Sequence, residues 1–178
     1  MIDATKDQLR AFYKAKRKEI SKERRHAAEE ALFEMLWPKL SVYRKVLSFC
    51  SIHGEIDLGK LNAALAAEGR LLLPRVEKEE IVAYQVSDLN HLVKGLHGNK
   101  EPDPEKDHKV THLECILVPG IGFDGFHHRL GYGKGHFDRF LQRHPKCPTY
   151  GIGFEEQRIK DPLPIESHDI ALSHVFFF

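Results

Sequence analysis

Residues 117–141, LVPGIGFDGFHHRLGYGKGHFDRFL, decide how this chain is read. An apolar, strand-like run ends in Pro119-Gly120, and a glycine-dense segment carrying Arg129 and Lys134 follows. His136-Phe137-Asp138-Arg139-Phe140-Leu141 then opens a helix. Gly131, Gly133 and Gly135 alternate with Tyr132 and Lys134, so the backbone is free to bend tightly and bare its N–H groups. Such a loop before a helix suits anionic oxygens, because exposed amides and the helix dipole both favour negative charge. Arg129 and Lys134 add fixed positive charge, and Asp138 adds a hard oxygen ligand suited to magnesium. The combination points to a nucleotide-phosphate site. It is not a Walker A sequence, and its glycines run GxGxG rather than GxGxxG. A plain glycine-rich turn with a solvated Arg and Lys is the competing reading.

Outward from this stretch, strands and helices alternate. Residues 3–36 carry apolar positions at helical spacing, with a break near 19–21, Ser21 as N-cap of a second helix and Pro38 as its stop. Residues 44–50 read as a short buried strand. Asp57 caps a helix over 58–68, and Gly69 ends it. Strands follow at 70–74 and 80–86, a polar loop at 87–112, and the strand at 113–118 that feeds the glycine loop. A helix at 138–143 and strands at 150–154 and 172–177 complete the pattern. This alternation predicts an α/β fold: a three-layer sandwich with a central, mostly parallel sheet and helices on both faces. Ligands in such sheets bind beyond the carboxyl ends of the strands, where the glycine loop falls. At 178 residues, a single domain over 1–178 is expected.

Composition narrows the function classes. With 27 basic and 26 acidic residues the net charge is +1, which gives no electrostatic basis for nucleic-acid binding. Cys50, Cys115 and Cys147 form no CxxC pair or disulfide framework, and they suit a reducing compartment. The charged start MIDATKDQLR lacks the apolar core of a signal peptide, no run is long enough to span a membrane, and a cytoplasmic location is expected. The 12 histidines fall into no HExxH or Cys/His zinc pattern. In the basic N-terminal helix most charges read as a solvated face. Lys6 and Arg10, four apart, project from one face and are placed to clamp a polyphosphate together.

Taken in order, these pieces resemble the 5-formyltetrahydrofolate cyclo-ligase family over nearly the whole chain. The matching elements are Lys6-x-x-x-Arg10, 47–50 with Gly54-Glu55-Ile56-Asp57, Leu73-Pro74-Arg75-Val76 and Glu101-Pro102. The most specific run is 118–124, then Arg129-Leu-Gly-Tyr-Gly-Lys-Gly135, then Asp138-Arg139-Phe140-Leu141. The tail agrees through Gly153-Phe-Glu155, Gln157, Pro164 and His168-Asp169.

The resemblance implies closure of 5-formyltetrahydrofolate to 5,10-methenyltetrahydrofolate, with ATP and Mg2+. It implies ATP contacts from Lys6, Arg10 and Arg129 through Leu130, Gly131, Tyr132, Gly133, Lys134, Gly135, His136 and Phe137. Lys134 and Arg129 would stabilise the transferring phosphoryl group, and Asp138 would carry the metal. Folate contacts would come from Cys50 and Glu55, and from Tyr132, Gly133, Lys134, Gly135 and His136, which would face both ligands. The expected partners are these small molecules, with no nucleic acid and no membrane, and the expected state is a monomer.

The chain departs from the family pattern in places. A usual glycine is His127, so the turn there is expected to differ, and a usual Tyr-Tyr-Asp is His136-Phe137-Asp138. A second metal-associated aspartate falls on Ser173, leaving Asp138, with Asp169 as a possible helper. Phe176-Phe177-Phe178 are expected to be buried in the domain or at a contact. Three other readings stand beside this one: a non-catalytic folate- or nucleotide-binding protein, a sugar-phosphate isomerase-like enzyme, and nucleic-acid binding through the N-terminal helix.

Overall fold

A strand places successive side chains on opposite faces of its sheet, and here both faces are covered. The computed structural model describes residues 4–95, 98–167 and 169–178; Leu96 and His97 of the polar loop, and His168 of the C-terminal match, lie outside the described residues. In chain order the elements are α1 Lys6–Lys18, α2 Lys22–Lys39, β1 Val46–Leu47, α3 Gly59–Ala67, β2 Leu71–Glu77 and β3 Glu80–Gln85. Then come β4 Val93–Lys94, β5 Lys100–Glu101, β6 His108–Val110, β7 Cys115–Pro119, β8 Gly122–Asp124 and β9 Arg129–Leu130. The chain finishes with α4 His136–Gln142, β10 Thr149–Gly153, β11 Arg158–Ile159 and β12 His174–Phe177.

The main sheet has the order β12-β10-β7-β1-β2-β3-β6, parallel from β12 to β2, with β3 and β6 antiparallel. On one face Val46, Leu71, Leu73, Cys115 and Leu117 pack with Leu32 and Leu36 of α2 and Leu61 and Leu65 of α3. Their neighbours Leu47, Leu72, Ile116 and Val118 pack on the other face with Phe140 and Leu141 of α4. Three layers result, as the sequence predicts. Helix α1 belongs to neither outer layer. Its Leu9 and Tyr13 join Ile121, Leu130, Ile159 and Leu163 against a small sheet of order β11-β8-β9.

Local signals explain most boundaries. Thr5 and Gln8 form a capping box at the start of α1, and the Ser21 hydroxyl accepts from Arg24 N at 3.1 Å to start α2. Asp57 is not the cap of α3: Leu58 holds that position without a side-chain bond, and the Asp57 carboxylate accepts from Gly59 N at 3.1 Å from one residue earlier. Gly69, at φ 67°, closes α3.

Some expectations need correction. Pro38 lies inside α2, so near its end that a missing N–H removes only one bond, and the helix continues to Lys39. The strand expected over 44–50 shrinks to β1, because the Ser48 hydroxyl and Phe49 carbonyl turn to the buried Asn62 of α3. The 87–112 segment contains three short strands, β4, β5 and β6. Of the terminal phenylalanines, Phe178 is buried, while Phe176 and Phe177 pack part-buried against the two cores.

The largest difference lies just beyond Gly120, where the chain first makes the β8–β9 hairpin before entering the glycine loop. Asp124 organises its turn as a buried acceptor for Phe126 N, His128 N and Leu163 N at 2.8–2.9 Å. His127 keeps a left-handed backbone there, at φ 66°, where a side chain is strained. His127→Gly should therefore raise stability by about 0.5–1 kcal/mol after the entropy of glycine is deducted. A melting temperature higher by roughly 1–4 °C in calorimetry is the expected reading. A lower one would mean that the ring contact of His127 with His174, at 5.5 Å between centroids, outweighs the strain.

Candidate functional site

Strand β1 pairs in parallel with β2 on one side and with β7 on the other, so the segments leaving β1 and β7 diverge. This is a topological switch point, and the crevice beyond the strand ends is the natural ligand position. A cavity of about 680 Å³ opens there. All the expected site residues line it: Lys6, Arg10, Cys50, Glu55, Asp138 and every residue from Arg129 to Phe137. Residues far apart in sequence thus meet at one place.

The glycine loop is shaped by its own glycines and by α1. Gly133 has φ 97°, and a Cβ there would meet the Arg10 guanidinium at 3.5 Å. Gly135, at φ 65°, is the left-handed N-cap of α4. Arg10 Nε donates to Gly131 O at 2.8 Å and so ties α1 to the loop. Because α4 has only seven residues, the anion-binding character rests on loop amides and side chains more than on a long helix dipole.

Lys6, Arg129 and Lys134 join Arg10 at this end of the cavity. Lys6 Nζ contacts Asp169 at 2.6 Å and Glu166 at 3.0 Å. Burial would lower the Lys6 pKa, but these carboxylates outweigh it and hold the ammonium above its ordinary value. Arg129 Nη2 donates to both oxygens of Asp138 at 2.9 Å. The Arg129 side chain is nearly buried, and its Nε, itself buried, has no acceptor among the described residues. Lys134 is exposed at the rim.

Asp138 and Asp169 line the same cavity. Hard carboxylate oxygens fit magnesium, which takes one or two of them and completes its shell with water and phosphate. Ser173 is elsewhere, accepting from Thr149 N at 3.0 Å, whereas Asp169 lines the cavity.

The opposite wall is the folate-side candidate. Glu55 is 8 % exposed; Ile52 N donates to its Oε2 at 3.0 Å, and the Tyr132 hydroxyl donates to its Oε1 at 2.7 Å. Burial pushes the Glu55 carboxyl above its usual range, opposed by those two bonds and by the charges of Arg17 and Arg129. Cys50 is a wall residue, not a nucleophile, because burial pushes its thiol up to about 11. His136 Nδ1 lies 2.8 Å from Glu79 O, at the tip of the β2–β3 hairpin, so this histidine docks the loop on the sheet.

Sequence reasoning missed several lining residues, among them His53, Val76, Ile81, Asn99, Lys100 and Glu166. The Glu101-Pro102 pair was a usable signal. Glu101 is 1 % exposed, lines the cavity and faces Arg75 at 3.7 Å, while Arg75 also donates to Pro102 O.

Comparison with known proteins bears on the family and the fold. The sequence model of the 5-formyltetrahydrofolate cyclo-ligase family matches residues 2–177. A probable 5-formyltetrahydrofolate cyclo-ligase of Caenorhabditis elegans is 29% identical, with 99% of this chain and 94% of that protein aligned. The NMR structure of Aquifex aeolicus 5,10-methenyltetrahydrofolate synthetase superposes with a TM-score of 0.82 at 34% identity, covering 96% of this chain and 88% of that one. A 5,10-methenyltetrahydrofolate synthetase structure from Mycoplasma pneumoniae gives a TM-score of 0.74 over 97% and 98% of the two chains; at 21% identity it speaks for the fold alone. With sequence match and superposition both running nearly end to end, the chain belongs to the 5-formyltetrahydrofolate cyclo-ligase family.

Proposed function

We propose that the protein closes 5-formyltetrahydrofolate to 5,10-methenyltetrahydrofolate, consuming ATP and releasing ADP and phosphate. One observation carries this reading: the Tyr132 hydroxyl of the glycine loop bonds to Glu55 at 2.7 Å, so the phosphate loop and the carboxylate wall are adjacent. A formyl group held by one wall is then within reach of a phosphoryl group held by the other.

The chemistry needs that adjacency. An amide oxygen is a poor leaving group, and phosphorylation makes it a good one. The formyl oxygen attacks the γ-phosphorus and ADP leaves; N10 attacks the resulting iminium carbon, loses its proton, and phosphate departs. The protein contributes positioning and charge stabilisation. Glu55 accepts N–H bonds from the pterin, and the Cys50 side chain packs against it. Arg129, Lys134, Lys6 and Arg10 surround the polyphosphate. Asp138 and Asp169 would hold Mg2+, which neutralises phosphate charge when bound. The reading takes the protein as a monomer. Three free thiols suit a cytoplasmic setting, and no helix among the described residues is long and apolar enough to cross a membrane.

The test is growth of the near-ultraviolet methenyl absorbance when the protein, 5-formyltetrahydrofolate and magnesium are mixed with ATP. ATP-dependent growth is expected. Folate binding without turnover would favour a non-catalytic binding protein, and binding of neither ligand would refute the reading.

A further inference from the structure

Arg17 is a buried cation outside the cavity wall. It sits on α1 at 2 % exposure, and among the described residues no carboxylate pairs with it directly. An uncompensated charge there would be costly, so its bonds identify its role. Nη1 donates to Gly120 O at 3.3 Å, and Nη2 donates to His53 O and to the Tyr132 hydroxyl, each at 3.0 Å. These acceptors lie on three segments: the exit of β7, the turn before Glu55, and the glycine loop.

The direction of the chain of bonds is fixed. A guanidinium only donates, so the Tyr132 oxygen must accept from Arg17. Its single proton is then committed to Glu55 Oε1, at 2.7 Å, while Ile52 N holds Oε2 at 3.0 Å. Both carboxylate oxygens are thereby oriented, one of them by a cation that touches neither the carboxylate nor the cavity.

We propose that Arg17 is a positioning residue for the folate subsite, acting through the Tyr132 hydroxyl to hold the Glu55 carboxylate in its receiving orientation. The proposal rests on the folate reading given above. It also explains the phenol at position 132: a side chain without a hydroxyl leaves Arg17 and Glu55 each without one partner.

The test is a double-mutant cycle with Tyr132→Phe, Arg17→Met and the pair, measuring KM for 5-formyltetrahydrofolate and for ATP, with folate affinity read independently by titration calorimetry. Each single substitution should raise the folate KM and Kd about tenfold, the usual worth of a charge-assisted hydrogen bond, and Arg17→Met, whose side chain lies outside the cavity wall, should leave the ATP KM within about threefold. In the Tyr132→Phe background, Arg17→Met should add less than about twofold, because the relay is already cut. Arg17→Lys, which keeps the charge and a donor, should recover most of the affinity; if Arg17→Met does not fold, Arg17→Gln, which removes the charge, takes its place in the cycle. Equal effects of the arginine substitution in both backgrounds, or a parallel rise in the ATP KM, would overturn the proposal. Calorimetry keeps the two readings apart. A wild-type protein that binds folate without turning over refutes the proposed activity but leaves the relay testable, whereas an active enzyme indifferent to the cycle refutes only the relay.

Discussion

Lys134→Ala should lower kcat/KM for ATP-dependent methenyl formation by about 10³, with the melting temperature unchanged. The size follows from the chemistry: a single cation at a transferring phosphoryl group is worth about 10³-fold or more, because catalysis there is mostly charge stabilisation. The structural cost is small because the Lys134 side chain is exposed and the bond that helps hold the loop, Arg139 Nη1 to Lys134 O at 3.1 Å, uses the main chain. Activity within about threefold of wild type would remove Lys134 from the phosphoryl site.

Asp138→Asn should behave differently, although the sequence gives the two residues equal standing. A fall of about 10²-fold or more in kcat/KM is expected, with an apparent magnesium requirement at least about tenfold higher. The protein should also become less stable by about 1–3 kcal/mol, because Arg129 loses a charged acceptor that now takes both bonds at 2.9 Å. Magnesium titrations of the folded variant separate the two effects. An unchanged magnesium requirement, with activity lost only in proportion to unfolding, would leave Asp138 as a structural partner of Arg129.

The parts of the fold that were legible in the sequence share one property: they signal locally. The run ending at Pro119 reads as a buried strand because its residues are apolar on both faces, and the glycines after it announce a bent backbone. Ser21 and Gly69 mark helix ends through caps that depend on neighbours a few residues away. The β8–β9 hairpin was invisible because its strands are two and three residues long and their pairing rests on a buried aspartate, Asp124.

Arg17 shows the same limit at the site. In a helix carrying Lys14, Lys16 and Lys18, one more basic residue reads as solvated, and nothing in its spacing distinguishes the one charge that is buried. Ser173 was a matter of register: matched position by position it stood for a metal ligand, yet Asp169, four residues earlier, lines the cavity. Identity of residue type was readable, but depth and partnership were not.

The ion pair between Lys6 and Asp169 joins residues 163 positions apart. A ribosome makes the lysine first and the aspartate roughly ten to thirty seconds later at ordinary elongation rates. For that interval the clamp at the cavity mouth has only one jaw. Synthesis itself therefore acts as a timer: this contact closes only after β7, β8 and β10 have been made.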